Sequence, residues 1–115
     1  MSTASSAPAV IDLGDHDLLL PDFVLTGRVT YDPRRQLLEL HGPDGDVEVL
    51  NTDLRTEGYL CFPGEVILKD WSEHNGLCQA LVDAGLVMRT ETLVVGPFSS
   101  RAYRVLVLTP EVTGR

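Results

Sequence analysis

Six consecutive residues, Lys69, Asp70, Trp71, Ser72, Glu73 and His74, form the densest group of proton-transfer and hydrogen-bonding side chains in this sequence. A carboxylate, a hydroxyl and an imidazole within mutual reach are the parts that general acid–base chemistry uses. Cys78 follows His74 by four positions. On a continuous helix these two share a face, as metal ligands or a thiol–imidazole pair do. His41 and Cys61 are the further residues that a zinc set would need, but no C-x-x-C or H-x-x-x-H spacing occurs. A Cys–His nucleophile also needs an oxyanion site and an orienting group, and the sequence identifies neither. The expectation is therefore no assigned catalytic residue and no metal. Lys69, Asp70, Trp71, Ser72, Glu73 and His74 stand as the ligand-binding candidates.

Two weaker groups complete the chemical inventory. Asp12, Asp15 and Asp17 surround His16. Oxygen-rich sets of this kind hold Ca²⁺ or Mg²⁺, but the EF-hand spacing is missing, and a solvated acidic turn is the expectation. Trp71, Tyr59 and Tyr103 are aromatics able to line a pocket or rim a core. Neither G-x-G-x-x-G nor G-x-x-x-x-G-K occurs, so no nucleotide-type cofactor is expected.

The elements that position these residues follow from periodicity. From Phe23 to Tyr31 apolar and polar residues alternate, the signature of a half-buried strand. "DPRR" then fits a type I turn with Asp32 at position i and Pro33 at i+1. "QLLELH", the turn "GPDGD" and "VEVL" extend the pattern into an antiparallel meander. Val66, Ile67 and Leu68 form a continuous apolar run, which suits a strand covered on both faces. "RAYRVLVL" is apolar on both faces and reads as a central strand.

Between these strands lies one amphipathic helix, about residues 71–84, apolar along Leu77, Cys78, Ala80, Leu81 and Ala84. Gly85 suits the left-handed position after its last turn. Its start has two readings. Asp70 caps a long helix with Gly76 inside it, or "DWSEH" is a separate turn and Asn75 caps a shorter helix, which avoids the cost of an interior glycine. The second is preferred.

The fold class expected is α+β: a mostly antiparallel sheet of six or seven strands with the helix packed on one face. The sheet is mixed if Glu65 to Val95 makes a parallel βαβ crossover. Residues 1–20 are expected to be poorly ordered, with Leu18–Leu20 as a short edge piece, and residues 21–112 to form one domain.

Charge narrows the partners. The 115 residues carry a net charge of −8, and residues 1–57 hold eleven acids against four bases. Nucleic-acid backbones and anionic membranes need clustered Lys and Arg, so neither is expected. No secretory signal or bilayer-length apolar run is visible, and two cysteines make no disulfide framework, so a cytoplasmic setting is expected.

Leu77, Leu81, Ala84, Gly85, Leu86 and Val87, followed by two β-like runs reaching Tyr103, form a stretch that is similar to the last helix and wing of a winged-helix DNA-binding domain. The resemblance covers about a third of the chain. It implies two further helices upstream, where this chain alternates with period two. It also implies a basic recognition helix, where this one carries Glu73 and Asp83 and no Lys or Arg. The function expected is a non-catalytic protein-interaction or accessory module, binding a protein partner or itself. The alternative is a small-molecule-binding domain or small enzyme sited at the Lys69–Gly76 loop, and a DNA-binding regulator ranks third.

Overall fold

The computed structural model describes residues 10–109. The first four strands are β1 (Ile11–Leu19), β2 (Val24–Asp32), β3 (Leu37–His41) and β4 (Val47–Val49), and they form one antiparallel sheet in the order β1-β2-β3-β4. A second antiparallel sheet has the order β5-β6-β8-β7. Its strands are β5 (Asn51–Thr52), β6 (Glu65–Lys69), β7 (Val87–Val95) and β8 (Ser100–Val107). The helix α1 (Leu77–Asp83) links β6 to β7 and contacts β1, β6 and β7.

The meander β2-β3-β4 matches its alternation: Val29, Tyr31, Leu38 and Leu40 are buried and Arg28 is exposed. Asp32 Oδ1 accepts the amides of Arg34 at 3.0 Å and Arg35 at 3.3 Å, which holds the "DPRR" turn. Val66 and Leu68 enter the main core, while Ile67 joins Leu93 and Ala102 in a smaller cluster on the opposite face. The strand is thus covered on both sides, and β8 is central as its composition suggests.

Three expectations need correction. The single sheet of six or seven strands is two four-stranded sheets, and the break is one residue long. Leu50, fully buried, separates β4 from β5 and donates its amide to Leu38 C=O at 2.8 Å. Asn51 then serves both sheets. Its backbone pairs with Leu68 of β6, while its side-chain amide accepts from Leu38 N–H (2.8 Å) and donates to Gln36 C=O (3.0 Å). A side chain satisfies β3 where a neighbouring strand would have done so, which frees the backbone to turn to β6. Periodicity assigns residues to faces but carries no information about such a change of neighbour.

The segment 11–20, expected to be poorly ordered, contains β1, a nine-residue edge strand. A bulge between Asp12 and Asp15, with Gly14 at φ 91°, lets the strand accommodate its acidic stretch. Beyond it Leu18 and Leu20 are buried while Asp17 and Leu19 stay exposed. Residues 1–9 lie outside the described residues. The helix spans Leu77–Asp83 and not 71–84, preceded by a separate 3-10 turn over Ser72–His74 as preferred, but its N-cap position is Gly76 and Asn75 does not cap it. Gly76, at φ 88°, makes the corner between them, so its lack of a side chain serves the turn and not a helix interior. The far end is a Schellman cap: Gly85 N–H reaches Val82 C=O and Leu86 N–H reaches Leu81 C=O, both at 3.0 Å.

The Glu65–Val95 segment does connect two strands that run in the same direction. β8 lies between them and is antiparallel to both, so no parallel ladder forms and the sheet is not mixed. Before α1 the described residues form six strands where the winged-helix resemblance implies α-helices.

Candidate functional site

The Lys69–Gly76 loop leaves the end of β6 and turns into α1. Asp70 anchors it. Its own amide donates to Arg101 C=O at 3.1 Å, and its carboxylate accepts Gly76 N–H at 2.8 Å and Cys78 N–H at 3.1 Å. Both oxygens thereby satisfy otherwise orphaned amides at the start of the helix, a cap supplied from six and eight residues away. Lys69 Nζ stands 5.5 Å from the centre of the Trp71 ring, a cation–π arrangement. Trp71 itself packs against the outer cluster around Ile67. Ser72 is exposed with φ 59°, an uncommon conformation for a non-glycine residue. The Glu73 side chain lies outside the described residues.

His74 is only 7% exposed. Its Nε2 donates to Glu48 Oε2 of β4 at 2.7 Å, tying the loop to the first sheet, and its Nδ1 is buried with no hydrogen-bond partner. Cys78 is buried in α1, and burial pushes its thiol up to about 11, against the opposing pull of Arg89. A thiol in that state is not a nucleophile at neutral pH. Cys61 is pushed up by burial too, with Arg104 opposing. Imidazole and thiol are thus each committed elsewhere. Among the described residues no group of three or more His, Cys, Asp and Glu suits a metal ion.

The acidic stretch of β1 is likewise dispersed. Arg28 bridges Asp12 and Asp15, Thr26 donates to Asp17 at 2.9 Å, and His16 Nε2 donates to the Leu13 carbonyl at 2.8 Å.

Two of the clefts that adjoin the second sheet lie on opposite faces of it. On the inner face, where the loop meets the strands, a cleft of ≈ 350 Å³ is lined by Asp70, Asn75, Gln79, Arg89, Arg101 and Tyr103, among others. Arg89 lies over the Tyr103 ring, 5.2 Å from its centre. On the outer face a cleft of ≈ 470 Å³ is bordered by Leu60, Phe62, Thr90 and Glu91. Its floor is Arg104, which contacts Glu91, lies 3.9 Å from Glu65 and donates to Leu60 C=O at 2.9 Å. The chain matches no family model, no curated protein and no solved structure.

Arg89, Arg101 and Arg104 escaped sequence reasoning. The hairpin register sets Glu91 opposite Arg104 and Val94 opposite Arg101, and a bulge between Arg89 and Glu91 shifts the faces midway. Alternation in "RTET" and "RAYR" shows which residues share a face on one strand. It does not show which residues the bulge brings opposite each other. No helix among the described residues is long and apolar enough to cross a membrane.

Proposed function

We propose that this protein is a non-catalytic interaction module that docks a basic partner protein on the outer face of its second sheet. The observation that carries this reading is an apolar rim around a floor in which Arg104 sits between Glu65 and Glu91. Phe62 is 77% exposed, Leu60 65% and Met88 50%, although each is a large apolar side chain. Met88 pairs with Leu106, which pairs on its other side with Glu65, so the rim and the floor share one face. Apolar groups gathered in this way favour a covering partner. The floor holds two carboxylates for one guanidinium, and the chain carries −8 overall, so a complementary surface presents Lys or Arg beside apolar side chains.

The alternative enzyme reading at Lys69–Gly76 finds less support. Asp70 spends both oxygens on helix amides and His74 spends its Nε2 on Glu48. Neither is left to move a proton for a substrate.

A photo-crosslinking residue at position 62, compared with one at Asp44 in the exposed β3–β4 turn, tests the proposal in the native host. The expected result is a discrete crosslinked protein at position 62 only, lost on Met88→Asp and weakened as salt is raised. Equal crosslinking at both positions removes the docking surface. A crosslinked species of twice the chain's own mass identifies a second copy as the occupant and overturns the basic partner.

A further inference from the structure

We infer that the inner-face cleft between the Lys69–Gly76 loop and strands β7 and β8 binds a small oxyanion-bearing molecule, held between Arg89 and Arg101. The two arginines come from neighbouring strands and line the same cleft. Along β8 the residues Arg101, Tyr103 and Val105 alternate with Ala102 and Arg104. Tyr103 and Val105 belong with the main core, whereas Ala102 belongs to the outer cluster. Arg89 pairs with Val105 and so joins this inner face. Arg101 is exposed beside the half-buried Tyr103.

The charges that line this cleft favour an anion. In a chain of net charge −8, the residues lining it carry two guanidinium groups and one carboxylate. That carboxylate, Asp70, already has both oxygens on backbone amides. Among the described residues neither Arg89 nor Arg101 has a carboxylate partner in an ion pair. Arg28, Arg35, Arg55 and Arg104 each have one, whereas Arg34, exposed in the β2–β3 turn, also lacks one. The stack of Arg89 on Tyr103 restrains its guanidinium plane without neutralising it. Arginine forks are suited to bidentate recognition of carboxylate and phosphate oxygens, and ≈ 350 Å³ limits the ligand to a small molecule. The cleft lies on the opposite face of the sheet from the proposed docking surface, so the two inferences stand or fall separately.

Titrating the full-length chain at low salt with inorganic phosphate, glycerol phosphate and citrate, followed by amide NMR, tests the assignment. Saturable shifts are expected at Asn75–Gln79 and Arg101–Tyr103. Each of Arg89→Gln and Arg101→Gln should weaken binding about tenfold, and Arg34→Gln, in the β2–β3 turn, should leave it unchanged. Arg101 is exposed, so its variant keeps the test intact if Arg89→Gln lowers stability. Tighter binding of the phosphate ester identifies a phosphorylated ligand, and tighter binding of citrate a carboxylate. No saturable shift with any probe, or equal losses in the Arg34 and Arg101 variants, overturns the site.

Discussion

The carboxylate of Asp70 accepts the amide of Gly76 at 2.8 Å across a loop that the sequence offers as a proton-transfer cluster. With Cys78 N–H on its other oxygen, Asp70 joins the end of β6 to the first turn of α1 and defines the corner at which the loop turns. The cluster is therefore first a device for starting a short helix. A seven-residue helix is far below the length that is stable in isolation, so its start depends on such tertiary anchors.

Asp70→Ala is expected to destabilise the fold by about 1–3 kcal/mol, combining a lost cap with amides left unpaired in a part-buried site. Asp70→Asn keeps one acceptor oxygen and should cost less. Thermal denaturation followed by circular dichroism reads both. Equal melting temperatures for wild type and Asp70→Ala would contradict the anchoring role.

Two glycines with similar backbones should respond differently to alanine. Gly76 has φ 88° and a Cβ there would stand 2.5 Å from Pro21 Cδ, whereas Gly85 has φ 76° with nothing within 4 Å. Gly85→Ala should cost only the left-handed penalty of about 1 kcal/mol. Gly76→Ala adds displacement of Pro21 and should cost roughly 1–2 kcal/mol more. Urea titration with a shared slope distinguishes them, and equal midpoints would argue against a packed Gly76–Pro21 contact.

Asn51→Asp tests the join between the sheets. The acceptor for Leu38 N–H survives, but the donor to Gln36 C=O is lost and a carboxylate oxygen faces the carbonyl in its place. A loss of about 1–3 kcal/mol is expected, with faster amide exchange at Leu38. Retained stability with unchanged exchange would mean that Asn51 is incidental to the change of sheet.

Alkaline pH should weaken the fold through Cys78. Burial raises its thiol from 9.0 to about 11, so the unfolded chain loses its proton first. Between those values the unfolded state binds fewer protons than the native state, and stability falls as pH rises. Tyr31, also raised by burial, adds to the loss from its ordinary value upward. The melting temperature of the wild type should drop more steeply above pH 9 than that of Cys78→Ala. Parallel curves would remove the thiol from the explanation.

Much of this architecture is legible in the residues alone. Alternation from Phe23 to Tyr31, the "DPRR" turn, the doubly covered Val66–Leu68 run and Gly85 as a helix terminator each rest on local physics: side-chain period, turn dihedrals, or freedom at positive φ. The separate turn before a shorter helix is readable too, but the cap is not: Asn75 is the preferred reading, and Asp70 takes the amides.

Tertiary structure alone decided the rest. Leu50 and Asn51 send the chain from one sheet to another, β8 slips between β6 and β7, and a bulge in β7 aligns Glu91 with Arg104. Glu48 captures His74 across 26 residues, and Arg104 of β8 reaches the Leu60 carbonyl across 44. Each is a contact between segments distant in sequence, fixed by which edges hydrogen-bond and in what register. Side-chain period determines the face a residue occupies, and only the folded ladder determines its neighbour.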